Sequence, residues 1–152
     1  MSVEEGAKAP DFSLEGDDGK TYTLESFKGK RLVLYFYPKD NTSGCTREGI
    51  EFSQMKDQFS GKDTVIVGVS PDSIKSHQNF KTKQPIDLLL LSDPDRAVAS
   101  VYGAYGEKKM YGKTTMGIIR STFVIDADSN IEKIYRSVKV AGHVENVLCG
   151  LK

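Results

Sequence analysis

Three short apolar runs, separated by polar segments of helical character, constrain the fold of this chain more than any other feature. The runs are RLVLYFY at residues 31–37, TVIVGVS at 64–70 and DLLLL at 87–91. A continuous apolar run of this length is typical of a strand that is buried on both faces, as in a parallel sheet. The sequence therefore predicts β-α-β units with right-handed crossovers and a mainly parallel sheet.

The segments between and after these runs carry the signals that start and stop helices. In CTREGIEFSQMKDQF, apolar residues fall roughly on one helical stripe. The next two segments each have proline, aspartate and serine near the expected first turn, which favours a helix start. We predict helices over residues 45–59, 71–83 and 92–103, and a short amphipathic helix in HVENVLCGLK at the end of the chain.

Two further pairs of short segments are typical of antiparallel hairpins. Residues 11–14 and 21–24 flank the turn sequence GDDGK, and residues 120–126 and 131–138 flank ADSN. The whole order predicts an α/β protein with a thioredoxin-like fold: a mixed central sheet flanked by helices, with an N-terminal β-hairpin. We expect one domain over residues 1–152, with a polar, glycine-bearing surface loop at 103–117.

The charge balance argues against several classes of partner. The chain has 21 basic and 21 acidic residues, so its formal net charge is zero, and no electrostatic attraction to nucleic acid or an anionic membrane is expected. No apolar run approaches the length of a membrane span. The opening MSVEEGAKAP has two acids and no apolar core, unlike a signal or transit peptide. We therefore expect a cytoplasmic protein.

The chain has only two cysteines, Cys45 and Cys149, and two histidines, His77 and His143. The absence of a CxxC pair disfavours a dithiol reductase of the thioredoxin type, and the absence of a Cys/His cluster disfavours a structural metal site. Both histidines are interpreted as surface or cap residues. Cys149, in the last predicted helix, is interpreted as a small apolar residue packed beneath that helix.

The position of Cys45 in the sequence indicates a reactive cysteine. A buried strand runs into a proline turn, which delivers Cys45 to the first turn of a helix. Free N–H groups and partial positive charge there favour the thiolate, the form that attacks a peroxide oxygen. Arg120 opens a later strand and would stabilise the thiolate if the sheet brings the two strand ends together. On position alone, a small buried cysteine is an equally good interpretation, whereas the loop lacks a Walker pattern for phosphate.

A resemblance to a known family decides between these interpretations. The segment PKDNTSGC, residues 38–45, matches the peroxiredoxin signature Pro-x-x-x-Thr-x-x-Cys. The longer segment YFYPKDNTSGCTREGIEF resembles the Q-type subgroup, also called bacterioferritin-comigratory proteins. The resemblance spans nearly the whole chain, because GAKAPDFSLEGDDGK resembles that family's opening and RSTFVIDADSNI resembles the strand that carries its arginine.

The resemblance implies a role for each residue around the cysteine. Cys45 would be the peroxidatic cysteine, Thr42 would orient the peroxide through its hydroxyl, and Pro38 would shape the pocket and shield the thiolate from water. Arg120 would stabilise the thiolate and the transition state. Glu48, one helical turn after Cys45, would orient Arg120 or a neighbouring arginine, or would lie on a solvated helix face. The implied reaction is reduction of hydrogen peroxide or an organic hydroperoxide, with no metal, haem or flavin cofactor.

The chain departs from the family in its second cysteine. Many Q-type members carry a resolving cysteine five residues after the first, where this chain has Ile50, and residues 71–83, another family location, contain none. Thioredoxin, glutaredoxin or a small thiol would then reduce the Cys45 sulfenic acid directly, or Cys149 would resolve it within the chain or from a second subunit. We expect a monomer or weak homodimer. The alternative function is a redox sensor or holdase without turnover on the same fold.

Overall fold

The three apolar runs form the parallel centre of a seven-stranded sheet. The computed structural model describes residues 3–110 and 112–151. The strands are β1 (Ser13–Gly16), β2 (Thr21–Thr23), β3 (Arg31–Phe36), β4 (Thr64–Ser70), β5 (Leu89–Ser92), β6 (Tyr105–Met110), β7 (Lys113–Ile118), β8 (Ser121–Ile125) and β9 (Ile131–Tyr135). The helices are α1 (Ser43–Gln54), α2 (Lys56–Ser60), α3 (Ile74–Lys83), α4 (Ala97–Val101) and α5 (His143–Cys149), with a 3₁₀ turn at Leu24–Phe27.

The sheet has the order β2-β1-β5-β4-β3-β8-β9. Strands β3, β4 and β5 are parallel, whereas β1 with β2 and β8 with β9 form antiparallel hairpins at the two edges. This arrangement confirms the predicted α/β architecture, with its mixed sheet, flanking helices and N-terminal hairpin. It also places the end of β3 beside the start of β8, because these two strands pair antiparallel with Phe36 opposite Ser121.

Alternate residues of β3 lie in two apolar clusters, one on each face of the sheet. Leu34 and Phe36 belong to one cluster. Val33 and Tyr35 belong to the other, which also takes side chains from α1, α2, α3 and α5 and includes Cys45. Each such large side chain, when fully buried, stabilises the fold by about 1.5–3 kcal/mol. The unbroken apolar run in β3 is therefore required by burial on both faces.

The first helix differs from the single helix predicted over 45–59. It begins two residues earlier, at Ser43, and ends at Gln54, where Met55 separates α1 from α2. Just before this break the Ser53 hydroxyl donates to the Gly49 carbonyl at 2.8 Å and accepts from the Asp87 amide at 2.9 Å. A serine bonded back to the preceding turn in this way commonly bends a helix.

Residues 103–117 do not form the predicted surface loop, and that prediction is wrong. They contain most of an antiparallel hairpin in which β6 pairs with β7, with Tyr105 opposite Ile118. Side chains 113–116 are all exposed, so the apolar alternation that marks a half-buried strand is missing. The lysine and glycine content of this segment therefore resembles that of a loop although its backbone is paired.

Gly68 in β4 generates the first prediction, because the side chains of Tyr35 and Leu90 leave no room for a side chain there. A Cβ at this position would lie 2.8 Å from the Tyr35 Cζ and 2.9 Å from the Leu90 Cδ2. We expect Gly68→Ala to lower the free energy of unfolding by about 1–3 kcal/mol, measured by urea denaturation, because overpacking displaces its neighbours.

The matched control is Gly61→Ala at the end of α2. Gly61 has φ of −63°, and its Cβ would approach only backbone oxygens, the nearest at 3.4 Å. Alanine adopts this conformation without strain, so the control should be as stable as the wild type or slightly more stable. Equal stability of the two variants would contradict the packing argument.

Candidate active site

Cys45 lies in the first turn of α1, directly after the central strand. The Tyr37 amide extends the parallel pairing by donating to the Val69 carbonyl at 3.0 Å, and residues 38–42 then connect β3 to the helix. Thr42 is the N-cap residue of α1, and its carbonyl accepts the first helical hydrogen bond from the Thr46 amide at 2.9 Å. Cys45 is therefore held at the helix N-terminus, 2% exposed, where unpaired N–H groups and the helix dipole favour a thiolate.

Arg120 lies beside the cysteine because of the β3–β8 register. It directly precedes Ser121, which pairs with the last residue of β3. Its Nη2 donates to the Cys45 Sγ at 3.2 Å, and its Nη1 donates to the Glu48 Oε1 at 2.5 Å. Gly44 keeps this approach open, since a Cβ there would lie 3.2 Å from the same Nη2. One planar guanidinium thus bridges the sulfur and a carboxylate.

Glu48 is completely buried, one helical turn after Cys45. Its Oε2 has no hydrogen-bond partner among the residues that the structure describes. Burial raises the pKa of Glu48 from 4.5 to about 7, although the nearby Arg120 charge acts in the opposite direction. Burial also lowers the pKa of Arg120, but the charges of Glu48 and Cys45 more than offset this, so that pKa lies above its ordinary value. Arg120 therefore keeps its positive charge at the sulfur.

The other two predicted residues, Thr42 and Pro38, lie near Cys45 and Arg120, but among the described residues neither forms a hydrogen bond with either side chain. Thr42 is exposed, and its hydroxyl donates to the Lys39 carbonyl at 2.8 Å. Pro38 is half-buried and lines an open cavity of about 420 Å³ together with Arg120. Ile119, Ser137, Val138 and two residues of β6 complete its lining. The roles of Thr42 and Pro38 toward a peroxide stay predictions, as do those of the other site residues.

Cys149 does not have the predicted environment. It is exposed at the last residue of α5, so the interpretation of a small apolar residue packed beneath the helix is wrong. Both cysteines are free thiols. The structure places Cys149 on the surface, whereas Cys45 lies in the apolar cluster under α1. Cys149 is exposed because the buried face of α5 is formed by other residues, among them Val144 and Val147.

Both histidines were interpreted as surface or cap residues, and both are buried. The His143 Nε2 lies 2.8 Å from the Thr122 hydroxyl, and burial, aided by the Arg120 charge, lowers the pKa of His143 to about 4. His77 lies in a polar group with Asp40 beneath the loop before α1. His77 lies three residues before the buried Phe80 in α3. This spacing is the sequence signal that could have placed His77 on the inward face of the helix.

A buried cysteine at a helix N-terminus, bridged to a carboxylate by an arginine on a thioredoxin-like sheet, is the arrangement expected of a thiol peroxidase. Comparison with known proteins agrees. The AhpC/TSA family is matched by residues 6–134 of the chain. Over 152 residues the chain is 47% identical to peroxiredoxin Bcp of Bacillus subtilis strain 168, covering 100% of this chain and 97% of that protein.

Solved structures show the same relationship. The bacterioferritin comigratory protein of Xanthomonas campestris superposes with a TM-score of 0.90 and 41% identity, over 97% of each chain. A cysteine mutant of Xylella fastidiosa PrxQ gives a TM-score of 0.93 and 38% identity, over 99% of this chain and 96% of the other. The chain therefore belongs to the AhpC/TSA family, within its Bcp or peroxiredoxin Q subgroup. The predicted resemblance is confirmed, and with it the activity of a thiol peroxidase that acts through a peroxidatic cysteine.

The Arg120 bridge predicts a specific loss of reactivity in Arg120→Lys. A lysine ammonium keeps the charge, but it is a point donor that cannot contact Glu48 and Cys45 in the same bidentate manner. We expect the rate of Cys45 oxidation by hydrogen peroxide, followed by stopped flow, to fall about 100-fold. The control is Arg136→Lys, at an exposed arginine that donates to the Gly103 carbonyl, and it should react like the wild type. A normal rate in Arg120→Lys would contradict the bridging role.

The buried Glu48 predicts a pH dependence of stability. Its folded pKa of about 7 lies above the ordinary 4.5, so the folded state holds a proton that the unfolded chain loses between these values. The resulting stabilisation is complete below pH 4.5 and is lost as pH rises to about 7. It corresponds to at most about 3 kcal/mol.

The measurement is the free energy of unfolding of the wild type minus that of Glu48→Gln, from urea denaturation of reduced protein across this pH range. Because glutamine does not titrate, the difference should fall as pH rises from 4.5 to about 7 and then level off. Parallel pH profiles of the two proteins would show that Glu48 does not titrate in this window.

Proposed function

We propose that this peroxiredoxin reduces hydrogen peroxide and organic hydroperoxides at Cys45, and that a separate thiol reductant restores the cysteine. The observation that carries the assignment of Cys45 is the hydrogen bond from the Arg120 Nη2 to the Cys45 Sγ at 3.2 Å. It joins a charged donor to a sulfur that already lies at a helix N-terminus. Both features stabilise an anion at the one atom that must act as nucleophile.

In the first half of the cycle the Cys45 thiolate attacks the terminal oxygen of the peroxide. A sulfur–oxygen bond forms while the oxygen–oxygen bond breaks, so sulfur is oxidised by two electrons to sulfenic acid. The second oxygen leaves as water or an alcohol after taking a proton. The Arg120 guanidinium stabilises the charge that develops on the oxygens, because its donors are already oriented before the reaction. Thr42 orients the peroxide, and Pro38 keeps water from the sulfur.

The cavity beside Arg120 supports organic hydroperoxides as substrates. Pro38, Ile119 and Val138 give it apolar lining next to the guanidinium, where the carbon chain of such a peroxide would lie. The Xanthomonas campestris relative, 41% identical, has alkyl peroxide reduction activity. We infer that this chain accepts the same class of substrate.

The second half of the cycle needs a thiol from outside the immediate site. Ile50 stands five residues after Cys45, and α3 contains no cysteine. A thiolate of thioredoxin or of another thiol would displace hydroxide from the sulfenic sulfur, and a second thiol would then release Cys45 from the mixed disulfide. Cys149 is the alternative resolving residue, because its exposure leaves it accessible to a second subunit. A monomer or weak homodimer stays the prediction.

We place this activity in the cytoplasm and assign it to one domain spanning residues 1–152. Two free cysteines suit a reducing compartment, and the sheet takes strands from both the first and the last third of the chain. None of the helices within residues 3–110 and 112–151 has the length and apolar character required to cross a bilayer.

Mass spectrometry and steady-state kinetics of Cys45→Ser and Cys149→Ser test this proposal. Cys45→Ser should consume no peroxide, because the nucleophile is lost. Cys149→Ser should retain the wild-type rate with a thioredoxin system, and one equivalent of peroxide should add one oxygen to Cys45. Loss of turnover in Cys149→Ser, with a Cys45–Cys149 disulfide in the wild type, would assign resolution to Cys149.

The same kinetics separate turnover from sensing. Continued peroxide consumption with thioredoxin, glutaredoxin or a small thiol is the expected result. A single stoichiometric burst with all three would contradict turnover and favour the sensor, the function that the missing nearby resolving cysteine allows. Oxidation of Cys45 no faster than that of free cysteine would contradict the proposed chemistry itself.

A further inference from the structure

A second buried polar group lies beneath the loop that leads into α1, and the mechanism above does not use it. The Asp40 carboxylate receives three hydrogen bonds: from the Tyr37 hydroxyl at 2.6 Å, from the Ser76 hydroxyl at 2.8 Å and from the His77 Nδ1 at 2.8 Å. Asp40 is 4% exposed and His77 is 0% exposed. The group therefore ties the loop after β3 to the first turns of α3.

The hydrogen bonds join the two side chains into one buried unit. The His77 Nε2 lies 2.8 Å from the Leu91 carbonyl oxygen, which can only accept, so Nε2 carries a proton. The His77 Nδ1 lies 2.8 Å from the Asp40 Oδ2, and the same carboxyl group accepts from two hydroxyls. Removal of either side chain therefore leaves buried polar atoms of the other without a partner.

Asp40 anchors the loop where the chain turns toward α1. Its own amide donates to the Asp72 Oδ2 at 2.7 Å, so both its backbone and its side chain are anchored. The next residue, Asn41, has φ of 65°, a left-handed conformation that asparagine adopts more readily than most residues. Thr42 follows at once as the N-cap residue of α1. The anchor at Asp40 thus determines where the Thr42 hydroxyl and the Pro38 ring lie.

The pair is separate from the groups that stabilise the thiolate. Cys45 lies in the first turn of α1 and its sulfur accepts a hydrogen bond from Arg120, the residue just before β8. Asp40 and His77 make their hydrogen bonds to the end of β3, to Asp72, to β5 and to α3. Loss of the pair should therefore disturb the orientation of a peroxide more than the formation of the thiolate.

We propose that Asp40 and His77 are positioning residues for peroxide reduction, which act by holding residues 38–42 in the conformation that presents Thr42 and Pro38 to the peroxide. This proposal rests on the proposed function of Cys45. It assigns to α3 a direct mechanical connection with the peroxide-binding loop, although α3 contributes no residue that touches the reacting atoms.

Two reactions of Cys45 with different requirements test the proposal. Oxidation by hydrogen peroxide depends on the thiolate and on the orientation of the peroxide, whereas alkylation by iodoacetamide depends on the thiolate and on access. In Asp40→Asn and in His77→Gln we expect the oxidation rate to fall about 10- to 100-fold, with alkylation within about threefold of the wild type. In the double variant the two amide side chains can hydrogen-bond to each other, so part of the loss should be recovered.

Tyr102→Phe is the matched control for a general loss of stability. It removes a buried hydroxyl that donates to the Pro10 carbonyl at 2.6 Å, on the other face of the sheet. It should lower the denaturation midpoint without changing the ratio of the two rates. Ser76→Ala is the milder probe if neither variant of the pair folds, because it removes one hydrogen bond to Asp40 and retains the contact between Asp40 and His77. Its oxidation rate should fall about two- to fivefold.

The outcomes distinguish the two proposals. If the wild type oxidises rapidly and every folded variant of the pair or of Ser76 keeps the wild-type ratio of oxidation to alkylation, the positioning role is wrong while the function of Cys45 stands. The same conclusion follows if Tyr102→Phe lowers the ratio equally. If the wild type itself reacts with peroxide no faster than free cysteine, the proposed function fails instead.

Discussion

Burial of β3 on both faces is the constraint on which the rest of the structure depends. Because neither face meets water, every side chain from Leu32 to Phe36 is apolar or aromatic, and the strand pairs with β4 on one side and β8 on the other. Its carboxyl end then lies where α1 begins and where β8 begins. Cys45 in α1 and Arg120, just before β8, are in contact there because Phe36 at the end of β3 pairs with Ser121 at the start of β8.

The carboxyl end of β3 lies between two groups of buried polar side chains. In one, Arg120 bridges Cys45 and Glu48, and in the other, His77 is hydrogen-bonded to Asp40. Buried polar groups need such partners because their desolvation is otherwise costly. In the proposed mechanism the loop between the two groups presents Thr42 and Pro38, so that one group stabilises the anion and the other supports the loop.

Sequence reasoning succeeded where the signal was local and failed where a partner was distant. The strand at Thr64–Ser70 follows from an apolar run, and the existence of α3 follows from the proline and polar residues before it, although α3 begins at Ile74 and not at residue 71 as predicted. Such local signals need no knowledge of the rest of the chain. The β6–β7 hairpin escaped because its exposed side chains give no alternation. His77 escaped because its hydrogen-bond partners lie 37 residues earlier, at Asp40, and 14 residues later, at the Leu91 carbonyl.

The sequence by itself determined the strands of the seven-stranded sheet, the position of Cys45 at a helix start and the family, because apolar periodicity and the spacing of PKDNTSGC lie in consecutive residues. Only the tertiary structure decided which charges meet. The contact between Arg120 and Cys45 spans 75 residues and depends on strand order, and the exposure of Cys149 depends on which side of α5 faces the core. Hydrogen bonds and desolvation depend on which groups are close in space, so the strand order and the helix packing determine them.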